Sequence, residues 1–237
     1  MTFDLQDEAH KFGQELQTVL DGVLPHQEGA DPELRQVAVI AAGLAFTVEI
    51  GTANCGKAVP IPLLTRGEKT ADLRVHIRLV ADSVQKFPAV AQSEYSLRIE
   101  RHPLVRLDFG RDFHSAPSCH WNVHAERGAV TRLLGHNLPD HSGELSKVHL
   151  PVGGPRMRPC IEDFLQMLIL EFGFDAVDGW QQVLDDGRVR WRRRQLAAMI
   201  RDDAEHAAEV LRDRLGYEVA PPAGGPTPPK MDKITTW

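Results

Sequence analysis

The sequence predicts an α+β protein: a helical N-terminal part, an antiparallel sheet of five or six strands, and C-terminal helices packed over the apolar face of that sheet. Three observations lead there. Apolar residues recur at helical spacing near both ends of the chain. Between about residues 45 and 126 the period changes to two. The period-two runs are short and closely joined, as in a meander. With 237 residues and 42% apolar residues the chain has enough material for one proper core. We read residues 1–219 as a single domain, with a helical part over 1–44, the sheet over 45–126 and a mainly helical part over 127–219. Residues 220–237, rich in Pro and Gly, read as a flexible tail.

In chain order, residues 5–24 place Leu5, Phe12, Leu16, Val19, Leu20 and Val23 on one helical face, with Asp4 as N-cap. Asp31-Pro32-Glu33 is a second helix start, since Pro32 fits the first helical position, and that helix is expected to run into Val37-Ala38-Val39-Ile40. Strands follow around Phe46, Val48 and Ile50, around Leu73, Val75, Ile77 and Leu79, around Tyr95, Leu97 and Ile99, and around Val105, Leu107 and Phe109. His102-Pro103 is read as the connection between the last two. Pro60 and Pro62 make residues 58–64 an edge strand, because neither can donate to a ladder. Residues 119–125 continue the alternation, with Cys119, Trp121, Val123 and Ala125 inward and His120, Asn122 and His124 on a polar, wet face shared with Arg98, Glu100, Arg106 and Asp108. Ile161, Phe164, Leu165, Leu168, Ile169 and Phe172 then form a helical stripe that starts after Pro159 and ends at Gly173. Asp178 is expected to cap a helix carrying Trp180, Val183, Leu184, Trp191, Leu196, Met199 and Ile200. Asp202 with Glu205 predicts a break near 202, and Gly216 a final stop.

Composition narrows the setting. A net charge of −6 argues against attraction of nucleic acid or anionic membrane to the whole surface, while leaving room for a local basic patch. Cys55, Cys119 and Cys160 are far apart and odd in number, which fits a reducing cytoplasm better than a disulfide framework. The acidic N-terminus lacks the apolar core of a signal peptide, and the longest apolar stretch, residues 37–46, is far short of a membrane span. The expectation is a soluble, cytoplasmic protein with no membrane partner.

Seven of the 11 histidines fall within residues 102–149. Histidine both ligates metals and titrates near neutral pH, so His120 and His124 lead the candidate residues. One reading is a divalent metal held by His114, His120, His124 and Asp108, with His136 or His141 as alternatives for completing the set. No second ligand pair has a recognised spacing, and Trp121 stands where H-E-x-x-H needs glutamate. Another reading is metal-independent: His120 and His124 as acid and base, with Arg106 or Arg127 holding a phosphate, as in ribonuclease-like phosphodiester hydrolysis. The H-x-H-x-H pattern of histidine-triad hydrolases is not met, because Asn122 stands at its centre. The plainer reading is a polar sheet face with hydrogen-bonded histidines. Gly153, Gly154, Arg156 and Arg158 lead into a helix and form a candidate anion site, or simply a glycine turn. Arg190, Arg192, Arg193 and Arg194 surround Trp191 and suit a nucleic-acid backbone or an acidic protein partner, or else a solvated helix face with internal ion pairs. Cys119 and Cys160 read as buried structural thiols. Trp237 and the tail are a further route to a protein partner.

The segment His149-Leu-Pro-Val-Gly-Gly-Pro-Arg-Met-Arg-Pro-Cys160-Ile-Glu-Asp-Phe-Leu-Gln, with Trp180, Arg190-Trp-Arg-Arg-Arg-Gln-Leu196, Leu215-Gly-Tyr217 and the strand carrying His120 and His124, resembles a group of bacterial proteins of unassigned function. The resemblance runs from about residue 70 to 219 and implies no particular activity. Arg106-Leu-Asp108 and residues 114–124 are faintly similar to small toxins of toxin–antitoxin pairs, which implies a regulatory role. The expected function is therefore a binding or regulatory protein, such as a toxin–antitoxin or phage-defence component, with a histidine-dependent phosphodiester hydrolase as the alternative.

Overall fold

The structure is a computed structural model and describes residues 3–29, 31, 35–51, 58–100, 102–113, 116–125, 128, 145, 149–152 and 155–236. Helix α1 spans Leu5–Val23. The Asp4 carboxylate accepts from the backbone N–H groups of Gln6 and Asp7 at 2.8 and 3.4 Å, as its N-cap position requires. Leu16, Val19, Leu20 and Val23 on its inner face are buried. Its far end is closed by a residue distant in sequence. The buried Arg35 guanidinium donates to the carbonyls of Pro25, Leu24 and Leu20, taking up carbonyls that the helix terminus leaves without partners.

The sheet is antiparallel. Its strands are β1 Val37–Ala42, β2 Ala45–Ile50, β3 Ile61–Thr65, β4 Glu68–Ala81, β5 Pro88–Ile99, β6 His102–Gly110, β7 Cys119–Val123 and β8 Leu150–Pro151. They lie in the order β1-β2-β4-β5-β6-β7-β8, and β3 pairs with β4. The 14-residue β4 is long enough to hold two neighbours along one side, β2 against Ile77 and its surroundings and β3 against residues 68–73. The α+β class holds, with eight strands among the described residues where five or six were expected, and a sheet that begins at residue 37. One addition is β8. The other is β1, where the sequence suggested a helix. Val37-Ala38-Val39-Ile40 instead forms a hairpin with β2 around Gly43, which takes φ +66°. Two β-branched valines facing α1 favour the strand once that helix is there to cover them. The approach is close: a Cβ on Gly13 of α1 would lie 2.8 Å from Val39 Cγ2. The β5–β6 connection also falls earlier than expected. His102 is already paired with Ile99, and Glu100 takes the left-handed turn conformation at φ +53°.

Helix α2 spans Ile161–Phe172 and ends at Gly173, whose φ of +73° is the left-handed C-cap the sequence predicts. Phe164 is fully buried and joins helix to sheet, with ring centroids 5.9 Å from Tyr95 and 5.8 Å from Trp121. Helix α3 spans Trp180–Asp202 and α4 Ala204–Glu209, followed by a π-helical turn Val210–Arg214 and a short α5 at Met231–Ile234. Gly179, rather than Asp178, holds the N-cap position of α3. The break after α3 is capped by Asp203, which accepts from His206 N at 3.2 Å. Asp202 is buried instead and binds Arg156 at 2.7 Å, with Lys230 Nζ at 3.6 Å. Lys230 N also donates to the Asp202 carbonyl at 2.8 Å, so the tail is tied to the body at that residue. Trp237 lies outside the described residues. Among them, no helix is long and apolar enough to cross a membrane.

Candidate functional site

The register of β6 against β7 sets Asp108 opposite His120 and Arg106 opposite Asn122. These four share one face of the sheet, as the alternation predicts. Asp108 Oδ2 is the centre of the group. It accepts from Arg106 Nη2 at 2.6 Å and Nε at 3.1 Å, and from Asn122 Nδ2 at 2.8 Å. His120 Nδ1 lies 2.8 Å from the Pro117 carbonyl. A carbonyl only accepts, so Nδ1 carries a proton, and Nε2 lies 3.8 Å from Asp108 Oδ2. The His149 ring meets His120 edge-on, with centroids 4.5 Å apart, and Phe113 lies against it at 6.0 Å.

The expected wet face is a correction at its centre. Asp108, His120 and Asn122 are all buried, and His120 is 3% exposed. β8 flanks β7 here, with Pro151 opposite His120. A buried polar group must find partners, and the Arg106–Asp108–Asn122 network supplies them internally. His124 lies just beyond the end of β7 and donates its backbone N–H to the Leu104 carbonyl at 2.8 Å. Its Nε2 is buried with no hydrogen-bond partner among the described residues. Burial lowers the His124 pKa, and the nearby Arg106 and Arg98 charges lower it further against the pull of Asp108. His124 is therefore neutral at pH 7. Arg106 remains half-buried, with its Nη1 outside the pairing to Asp108.

Of the residues proposed for catalysis or metal binding, Arg106, Asp108 and His120 thus come together, and His124 lies within electrostatic reach of Arg106 and Asp108. Arg127 and His114 lie outside the described residues, as do His136 and His141. Among the described residues no group of three or more His, Cys, Asp or Glu side chains is arranged to hold a metal ion.

The candidate anion site takes a different form. Gly153 and Gly154 lie outside the described residues. Arg156 is engaged by Asp202. Arg158 is buried between the rings of Phe109 and Trp191, 4.0 and 4.7 Å from their centroids, and donates to the Pro155 carbonyl. Burial lowers its pKa to about 10. A guanidinium enclosed by aromatic faces serves the packing of loop against sheet and helix, so Arg158 is corrected from anion ligand to core residue. The thiols behave as read: Cys119 and Cys160 are buried and unpaired, and burial pushes Cys119 up to about 12.

The arginine run of α3 divides by direction. Arg194 donates two hydrogen bonds to Glu15 of α1, at 2.7 and 2.6 Å. Arg188 binds Asp163 and Asp185. Arg192 lies 3.9 Å from Asp163. Arg190 lines a cavity of about 40 Å³ between α1 and α3, large enough for water but not for a metabolite. Arg193 is exposed and has no partner among the described residues. The run is therefore no uniform cationic face.

A surface that the sequence reading missed lies beside it. Leu184 and Ala198 turn α3 toward the core, but Val189, Leu196, Met199 and Ile200 are 48%, 56%, 39% and 42% exposed. Positions 189, 196 and 200 are spaced i, i+7 and i+11, so they share the outward side of the helix, flanked by Arg192 and Arg193. The available signal was an apolar pattern too wide for one buried stripe. No protein-family model, curated protein sequence or solved structure matches the chain.

Proposed function

We propose that this is a protein-binding, regulatory molecule, such as one member of a toxin–antitoxin or phage-defence pair, and that the outward side of α3 is its docking face. The observation that carries the proposal is the line of Val189, Leu196 and Ile200 along the solvent side of a 23-residue helix. Grouped exposed aliphatic side chains on a soluble domain mark interaction surfaces far more often than singly exposed ones do. Arg192 and Arg193 flank the line, so the complementary partner is an amphipathic segment with aliphatic anchors and carboxylates at its edges. Two buried, unpaired thiols support a cytoplasmic setting. The test is purification from the native host. A stoichiometric protein partner should accompany the wild-type chain and be lost from Leu196→Glu/Ile200→Glu, with thermal stability changed by less than about 1 kcal/mol. A wild-type chain that brings down no partner overturns the proposal.

The neutral His124 beside Arg106 favours a second reading, phosphodiester hydrolysis. A neutral imidazole suits a general base and a half-buried guanidinium suits a phosphate oxygen. On this reading His124→Ala removes cleavage of an RNA substrate while the protein stays folded. Cleavage that persists in that variant, or its absence from the wild type, excludes it.

A further inference from the structure

The strand β1 is the outermost strand of the sheet. The edge of β1 that is unpaired among the described residues can be identified from the ladder. Gly51 N donates to the Gln36 carbonyl at 2.9 Å, one residue beyond the Val37–Ile50 pair. Hydrogen-bonded positions alternate along an antiparallel pair, so Ala38, Ile40 and Ala42 direct their backbone groups to β2. Val37, Val39 and Ala41 direct theirs away from the sheet. The outward Val37 N–H fits this assignment, because it is taken by the Gln17 side chain of α1 at 2.7 Å. Val39 and Ala41 have no such partner among the described residues.

Sheets protect free edges with proline, charge, a bulge or shortness. The other two edges of this sheet follow that practice. β8 is two residues long and ends in Pro151, and β3 contains Pro62 directly after Pro60 and Ile61. β1 does not. Its sequence Val-Ala-Val-Ile-Ala-Ala has no charge and no proline, and its register with β2 runs without a bulge from Val37 to Ala42.

We propose that β1 pairs antiparallel with β1 of a second copy of this chain, about a two-fold axis at Ile40, to make one sheet continuous through both molecules. The occupant follows from self-complementarity. With the axis at Ile40, Val39 faces Ala41 of the other copy twice over. Four N–H···O=C bonds form from the backbone groups that lack partners, and the Val37–Gln17 bond is left intact. Val39 approaches Gly13 of α1, so by alternation Ile40 projects from the opposite face, where it is 37% exposed. Across the axis the two Ile40 residues form a non-hydrogen-bonded pair, the arrangement that brings side chains closest. No like charges meet on the strand. This interface is separate from the outward face of α3.

Sedimentation velocity of the full chain over a wide concentration range tests the proposal. The wild type is expected at twice the monomer mass. Ala41→Pro removes an N–H that faces away from β2, so it should abolish the dimer while circular dichroism and thermal stability stay near wild type. Ile40→Lys provides the second test if Ala41→Pro fails to fold. It sets two ammonium groups across the axis from a surface position and should likewise give a monomer. A wild-type chain that stays monomeric, including one whose β1 edge takes a strand from a different protein, overturns the proposal. So does a dimer that persists in the folded variants.

Discussion

His124 illustrates how much a single side chain depends on its surroundings. Its ordinary pKa of 6.5 is lowered in the folded protein, mainly by burial. Well above pH 6.5 the ring is neutral in both folded and unfolded chains, and its contribution to stability is constant. As pH falls below that value the unfolded chain takes up the proton first, so stability is lost until the folded-state pKa is passed. Thermal melts between pH 7.5 and 5 should therefore show a slope that His124→Ala flattens. An unchanged slope would mean that the ring titrates as freely in the fold as in water. For Asp108 and His120 the lesson concerns burial. Their positions on one face were legible from alternation alone, but their burial was not, because β8 and His149, which pack beside His120, come from a distant part of the chain. Arg35 was illegible for a similar reason. Its role as a cap for α1 rests on carbonyls 10 to 15 residues earlier in the chain and on no local motif.

At the scale of elements, α2 and α3 meet where Gly187 faces Glu162. A Cβ on Gly187 would lie 2.2 Å from Glu162 Oε1 and 2.8 Å from its Cγ. Two effects oppose each other in Gly187→Ala. Helix propensity favours alanine by about 1 kcal/mol, whereas displacing a buried side chain typically costs about 1–3 kcal/mol. Glu162 is only 6% exposed and has little room to give way, so the clash should prevail and urea melts should show a net loss of about 1 kcal/mol. Adding Glu162→Ala should remove the clash and reveal the propensity gain. A Gly187→Ala variant as stable as the wild type would show that the helices separate at little cost. The strand β1 carries the complementary lesson. Val-Ala-Val-Ile after a proline-led start is acceptable to a helix. The two-residue turn at Gly43 and the close approach of α1 at Gly13 make it a strand, and only the turn is local.

For the whole molecule, the two proposed contacts use surfaces of opposite character. The β1 edge offers backbone hydrogen bonds with defined geometry and no side-chain charge. The outward side of α3 offers aliphatic side chains and two arginines. A dimer through β1 would present two α3 faces, so a partner able to reach both would bind with the added strength of bivalency. The buried carboxylate of Asp202 lies between these levels, since it joins the loop at Arg156 and the tail at Lys230 to the end of α3.

The sequence by itself determined the α+β class, the alternating strands, the inward side of α2 with its Gly173 terminus, and the shared face of Arg106, Asp108, His120 and Asn122. Each of these follows from a period or a cap that a few neighbouring residues specify. Only the tertiary structure decided that β1 is a strand whose outer edge is unpaired among the described residues, that Arg158 is enclosed by two rings, that the polar cluster is buried, and that α3 leaves Leu196 and Ile200 in solvent. The physical reason is common to all four. Burial and partnership are set by which distant segments arrive opposite a residue, and a local pattern carries no record of that.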